Sequence, residues 1–216
     1  AVIVTLIVTT NSNKNNLSSP EAQIDPGRFS SDSYGLAHRR NDGLSIGDLD
    51  APVVLIDYGD LRCPYCAKWM EQVEPELVDK YVRTGKLRIE FRNMVLFDQP
   101  SLLGARAVIA AAQQGKGYAL MQKIYSTMPH KGHGEITVPL VRKWAEELQL
   151  KDIDHFMKDA QSTKFDAQIA EGKQEAHSMG FQSVPAFLIN GYPVLGARDT
   201  QTYIDIIESA LLALDK

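Results

Sequence analysis

Cys63-Pro64-Tyr65-Cys66 contains the only two cysteines of the chain, a few residues after the apolar run Val53-Val54-Leu55-Ile56. A solitary C-x-x-C where a strand hands over to a helix is the arrangement of a redox dithiol, and the chemistry it points to is thiol–disulfide exchange. Pro64 suits the first helical position, because its missing N–H would have no intrahelical partner there and its φ is already helical. Cys63 then falls at the N-cap, where unpaired backbone N–H groups and the helix dipole favour thiolate over thiol. The dipole is worth about 0.3–1 kcal/mol, up to about 2 when partly buried, or about one pKa unit. The spacing predicts Cys63 as the attacking thiol, with its sulfur exposed, and Cys66 as the resolving one. Pro64, Tyr65 and the adjacent cation Arg62 are the candidates for tuning the thiolate.

A competing chemistry is zinc binding, with His130 and His133 of Pro129-His130-Lys131-Gly132-His133-Gly134 completing a Cys₂His₂ set. The two pairs lie far apart in sequence, and a proline between the cysteines suits a helix start better than a zinc knuckle. No metal is therefore expected. An inert structural bridge is also disfavoured, since so short a loop constrains little chain entropy.

The elements that must hold the dithiol follow from periodicity. Residues 53–57 read as a buried strand ending beside it. From Pro64, Trp69, Val73, Leu77 and Tyr81 recur at four-residue spacing along one helix face, which makes Trp69 a core residue. Pro75 interrupts this pattern and predicts a kink or split, and Gly85 ends it. Leu87 to Phe91 alternates as a strand, with Arg88, Glu90 and Arg92 on the opposite face. Helical patterns cover 102–114, 118–128, 138–148, 153–160 and 164–179, and their charge runs, such as 171–175, read as solvated faces. Strand signals return at 186–189 and 193–195 around Asn190-Gly191, a tight-hairpin signal, and Asp199 or Thr200 caps a closing helix through Leu214. Near the start, Tyr34–Arg39 and Leu44–Ile46 suggest two short strands around Asn41-Asp42-Gly43.

With 216 residues, 44% of them hydrophobic, the chain can bury one substantial core or one domain carrying an insertion. A net charge of −4 and the lack of a basic stripe give no support to a nucleic-acid partner. The apolar run Ala1–Val8 is followed by a polar stretch, and it reads either as the end of a signal or membrane anchor or as an edge strand. An anchor would place the body outside the cytoplasm, where disulfides persist.

The order strand, C-x-x-C helix, strand, helical block, Val-Pro, hairpin, helix resembles the DsbA-like disulfide oxidoreductases of the thioredoxin superfamily. The resemblance is carried by residues 57–66, "DYGDLRCPYC", and 180–191, "GFQSVPAFLING", followed by Gly196-Ala197. It implies an α/β, thioredoxin-like fold with a central mixed sheet and a helical insertion. Residues 1–33 would be an extension, 34–98 and 181–216 the two parts of the thioredoxin-like domain, and 99–180 the insertion. It also implies a cis bond before Pro185, with Pro185 facing the dithiol and the Val184 backbone offered to an incoming peptide. Asp57, six residues before Cys63, matches the family's buried acid, whose task is proton transfer with Cys66; from Asp alone, a turn-capping role competes.

Tyr65 stands where the strongest oxidases of the family carry His, so a milder oxidant is expected. Val184, where isomerases tend to have Thr, and the lack of room for an N-terminal dimerisation domain lean toward an oxidase. The implied activity is donation of the Cys63–Cys66 disulfide to reduced exported polypeptides by a monomer outside the cytoplasm, anchored or secreted. No organic cofactor is implied, and a membrane quinone-linked oxidase is the expected reoxidising partner. A reductase or isomerase of the same fold is the alternative within this chemistry; a noncatalytic client-binding or zinc-stabilised module is the alternative outside it.

Overall fold

The computed structural model describes residues 39–214. The N-terminal extension with its apolar run, and all but the last residue of the strand expected over 34–39, lie outside the described residues. Five strands form one mixed sheet: β1 (Ser45–Ile46), β2 (Val53–Gly59), β3 (Leu87–Asn93), β4 (Ala186–Ile189) and β5 (Tyr192–Leu195), in the order β1-β3-β2-β4-β5. β2 and β3 run parallel, with Val53 opposite Leu87 and Gly59 opposite Asn93, while β4 lies antiparallel to β2 on its other side. β1 takes β3 as an antiparallel partner.

A parallel pair needs a crossover, and the helix that begins at the dithiol supplies it. This crossover comprises α1 (Pro64–Gln72), α2 (Glu74–Leu77) and a π-helical segment over Val78–Val82. The break at Val73 is the one Pro75 predicts: proline cannot donate to the preceding turn, so the chain restarts with Pro75 in the first turn of α2. Its apolar stripe packs on the sheet as expected. Trp69 is buried, with its ring centroid 4.7 Å from that of Phe187 and 5.8 Å from that of Tyr203. Tyr203, Ile206 and Ile207 come from the closing helix α8 (Thr200–Leu214), which covers the same face. At its start the Thr202 backbone N–H donates to Asp199 Oδ1 at 2.8 Å.

Between β3 and β4 come α3 (Asp98–Ala112), α4 (Gly117–Tyr125), α5 (Val138–Glu147), α6 (Ile153–Ala160) and α7 (Asp166–Ser178), each within a few residues of its sequence-based bounds. Side chains from α3 to α6 share one buried cluster that also includes Cys63 and Cys66. The hairpin of β4 and β5 turns through Asn190 (φ 42°) and Gly191 (φ 87°), as Asn-Gly predicts.

Arg88, Glu90 and Arg92, on the polar side of β3, are all buried. One expectation is corrected: Glu175 is not on an open helix face. α7 lies over this side of the sheet, and Glu175 reaches in to pair with Arg92 and with Arg40, the latter at 2.8 Å, and accepts from the Tyr58 hydroxyl. Glu90 pairs with Arg88 at 2.7 Å and Arg92 at 3.2 Å. The reason is satisfaction of charge: alternating basic and acidic residues become tolerable inside once the helix above brings a matching carboxylate. Close approach is permitted by Gly172, where an added Cβ would meet the Asn93 carbonyl oxygen at 2.5 Å.

Candidate active site

Cys63 is the N-cap of α1, with φ −77° and ψ 118°, and Pro64 stands in the first helical turn. Its own N–H donates to the Asp60 carbonyl at 2.9 Å, which folds the end of β2 into the helix start. The Cys63 sulfur is held toward thiolate first by a hydrogen bond from the Cys66 thiol and then by the backbone N–H groups of Cys66 and Tyr65; burial and the charge of Asp60 oppose this. The net effect is a lowered Cys63 pKa. Cys66 goes the other way. Burial pushes its thiol well up, reinforced by the hydrogen bond it gives Cys63 and by the charges of Cys63 and Asp57. One thiol is thus disposed to ionise and its partner to keep its proton.

The expected exposure of Cys63 is corrected: the residue is 2% exposed. Val184 packs against it, and its carbonyl oxygen lies 3.7 Å from Sγ and accepts from the thiol. The Val184–Pro185 peptide bond is cis. The Pro185 carbonyl accepts from the Gly196 N–H at 2.9 Å, tying this segment to the end of β5.

Asp57 lies in β2 on the same side as Val53 and Leu55, the side that α1 covers, and it is 3% exposed. This overturns the turn-capping role. Burial holds its carboxyl well above the ordinary carboxylate range, with further pushes from Glu74 and Cys63, and its Oδ1 has no hydrogen-bond partner. A buried acid with a raised pKa and a free oxygen beside two thiols can give up and regain a proton.

The other tuning candidates act differently from the sequence-based reading. Tyr65 is 64% exposed, and it is its backbone N–H, not its ring, that bears on Cys63. Arg62 is corrected: Nε donates to the Gly134 carbonyl at 2.6 Å and a terminal nitrogen to the Phe97 carbonyl at 2.7 Å. Backbone carbonyls on either side of α3 claim the guanidinium, which makes it a brace between loops. His133 belongs to the same brace, its ring stacked 3.8 Å from that of Phe97 and its Nδ1 3.2 Å from the Arg62 carbonyl oxygen. His130 lines a separate groove. Among the described residues no group of three or more His, Cys, Asp or Glu side chains is arranged to hold a metal ion.

Two acidic residues were not singled out by the sequence. Glu74 is 2% exposed and accepts from the Tyr118 hydroxyl at 2.8 Å and Gln122 Nε2 at 3.1 Å, and burial raises its pKa to about 7. It lies at a groove of about 590 Å³ lined also by Ala67, Met70, Tyr125 and Met128. Asp60, 1% exposed, accepts from the N–H groups of Arg62, Leu96 and Phe97 and from the Ser101 hydroxyl. Local spacing does not mark either as buried, because all their partners but the Arg62 N–H lie on distant elements.

Comparison with known proteins bears on this geometry. A family model described as Thioredoxin matches residues 39–209. A probable disulfide bond formation protein D of Bacillus cereus is 30% identical over 150 residues, covering 68% of this chain and 69% of that protein. Among solved structures, oxidised BdbD of Bacillus subtilis superposes with a TM-score of 0.73 at 19% identity, covering 78% of this chain and 92% of that one. Alpha-DsbA1 of Wolbachia pipientis gives 0.71 at 22% identity, covering 82% and 95%.

Proposed function

Because this chain belongs to the thioredoxin family and aligns with a disulfide bond formation protein D, we propose that it donates the Cys63–Cys66 disulfide to reduced polypeptides folding outside the cytoplasm. It is a thiol:disulfide oxidoreductase of the DsbA-like kind. The observation that carries the direction of transfer is the opposite disposition of its two thiols, Cys63 toward thiolate and Cys66 toward thiol.

In this reading a client thiolate attacks Cys63 Sγ, the Cys63–Cys66 bond breaks, and Cys66 leaves as a thiolate that takes the Asp57 proton. A second client thiolate then attacks the client sulfur of the mixed disulfide and expels Cys63 as a thiolate, so the client is oxidised by two electrons and the enzyme reduced. The N–H groups at the start of α1 stabilise that departing thiolate, which is what makes the enzyme an oxidant. Val184 offers its carbonyl to the client backbone in place of the Cys63 thiol, with Pro185 behind it. Pro64 sets the helix start, and Tyr65 contributes its N–H and an exposed ring against which a client can rest. Glu74 is a further carboxyl through which Asp57 can exchange its proton with the groove.

The helical insertion over 99–180 is taken as a domain set between the two parts of the thioredoxin-like domain, 34–98 and 181–216. A membrane quinone-linked oxidase is proposed to restore the disulfide, and the enzyme to act as a monomer. No helix among the described residues is long and apolar enough to cross a membrane. The decisive experiment is the equilibrium reduction potential of Cys63–Cys66 in a glutathione series. A value from about −120 to −180 mV supports a disulfide donor, and one near about −270 mV turns the assignment to a reductase.

A further inference from the structure

Asp60 stands three residues before Cys63, deep in the fold, and all four of its carboxylate contacts are donors. The Arg62 N–H and the Ser101 hydroxyl reach Oδ1 at 2.9 and 2.7 Å; the Leu96 and Phe97 N–H groups reach Oδ2 at 2.7 and 3.2 Å. Phe97 is the N-cap of α3, so the carboxylate rests at the positive end of a 15-residue helix. Such a shell of donors suits the anion. Yet every donor is neutral. Among the described residues Asp60 has no ion pair, and Arg62, the adjacent cation, is engaged with the carbonyls of Gly134 and Phe97 and, at 3.9 Å, with Glu135. Dipoles hold a charge in place without cancelling it at a distance, so its field reaches the next buried charge in low-dielectric surroundings.

That next charge is the Cys63 thiolate. The Cys63 N–H donates to the carbonyl of the same Asp60, which fixes the two residues against each other, and the Asp60 charge is among the influences that disfavour ionised Cys63. The other titratable groups that bear on Cys63 are Cys66, which favours the thiolate, and Asp57, whose own carboxyl is pushed up by burial, Glu74 and Cys63. Tyr125, whose hydroxyl donates to the Asp60 carbonyl at 3.2 Å, also keeps its proton, and His133 touches the preceding Arg62 carbonyl.

We propose that Asp60 is a positioning residue that also limits the oxidising strength of the dithiol: a buried carboxylate, held by neutral donors and paired with no cation, that destabilises the reduced enzyme by repelling the Cys63 thiolate. This rests on Cys63 being the reactive thiol, as proposed above. The same side chain performs two tasks. Its hydrogen bonds join the active-site loop to the start of α3, and its charge counteracts the helix that favours the thiolate.

The test separates charge from tethering. Asp60→Asn removes the charge at nearly constant shape, whereas Ser101→Ala removes one hydrogen bond and keeps the charge. Asp60→Asn is expected to shift the equilibrium with glutathione threefold to tenfold toward the reduced enzyme, about 15 to 30 mV more positive. The Cys63 titration, followed by ultraviolet thiolate absorbance, should move to lower pH. Ser101→Ala should leave both measurements at the wild-type values while lowering resistance to urea. An unchanged or less oxidising Asp60→Asn protein, or a Ser101→Ala protein that shifts equally, overturns the proposal. If Asp60→Asn does not fold, Asp60→Ser carries the same measurements; failure of both assigns Asp60 to tethering alone and likewise overturns it. The wild-type potential judges the direction of transfer and the difference between variants judges Asp60, so either can fail without the other.

Discussion

Glu74→Gln should reverse its effect on stability between acid and alkaline pH. Glu74 is 2% exposed, and burial raises its pKa from 4.5 to about 7, so the folded protein binds this proton more tightly than the unfolded chain. Stability from this group is fully present below the unfolded pKa and is lost as pH rises through the folded value. The displacement is worth roughly 3 kcal/mol. Glutamine has no charge to bury, so it removes the slope. It keeps an oxygen for the Tyr118 hydroxyl but disturbs the bond from Gln122, at a pH-independent cost of about 1 kcal/mol. Urea unfolding of both proteins, oxidised so that no Cys63 thiolate is present, should find the variant about 1 kcal/mol less stable near about pH 4 and about 2 kcal/mol more stable near about pH 9. Burial raises Asp57 in both proteins, but the variant loses the push from Glu74, so the Asp57 slope weakens and adds to the difference in the same direction. A difference between variant and wild type that is flat with pH would refute the reasoning.

Cys63→Ser should abolish oxidation of a reduced, unfolded test protein, whereas Cys66→Ala should accumulate mixed disulfides on non-reducing gels; activity retained without Cys63 sinks the exchange mechanism. Asp57→Asn should slow reduction of the enzyme by a client thiol by about 10²-fold or more in rapid-quench experiments. An unchanged rate would show that the Cys66 proton comes from elsewhere. Glu175→Ala leaves the buried guanidinium of Arg92 short of a counter-charge and should cost about 3 kcal/mol in urea unfolding, against near-zero cost if α7 were held by its apolar contacts alone.

The parts of the fold legible in the sequence are those decided by near neighbours. The helix start at Pro64, the break before Pro75, the Asn190-Gly191 turn and the apolar stripe through Trp69 each follow from the preferences of a few adjacent residues. The dithiol was legible for the same reason. What the sequence could not convey is where charge goes once the chain closes. Glu175 stands in a run that looks solvated, and only the superposition of α7 on β3 shows that it answers Arg92. Arg62 looks like a cation for the thiolate until the carbonyls of Phe97 and Gly134 come round to it. Glu74 and Asp60 are buried acids whose donors, the Arg62 N–H apart, lie 36 to 48 positions away, beyond the reach of periodicity. The exposure of Cys63 failed similarly, because its cover is supplied by Val184.

That cover has a timetable. Cys63 and Val184 are 121 positions apart, and β4 and β5, which anchor the Val184 segment, form part of the last stretch before the closing helix. A chain made from its N-terminus at about 5 to 20 residues per second completes the dithiol about 6 to 24 s before Val184 exists to lie against it. During that interval the thiol belongs to an unfinished protein and is open to any oxidant or disulfide it meets. The oxidoreductase is therefore first a potential substrate of its own chemistry, and it becomes selective only when its final hairpin arrives.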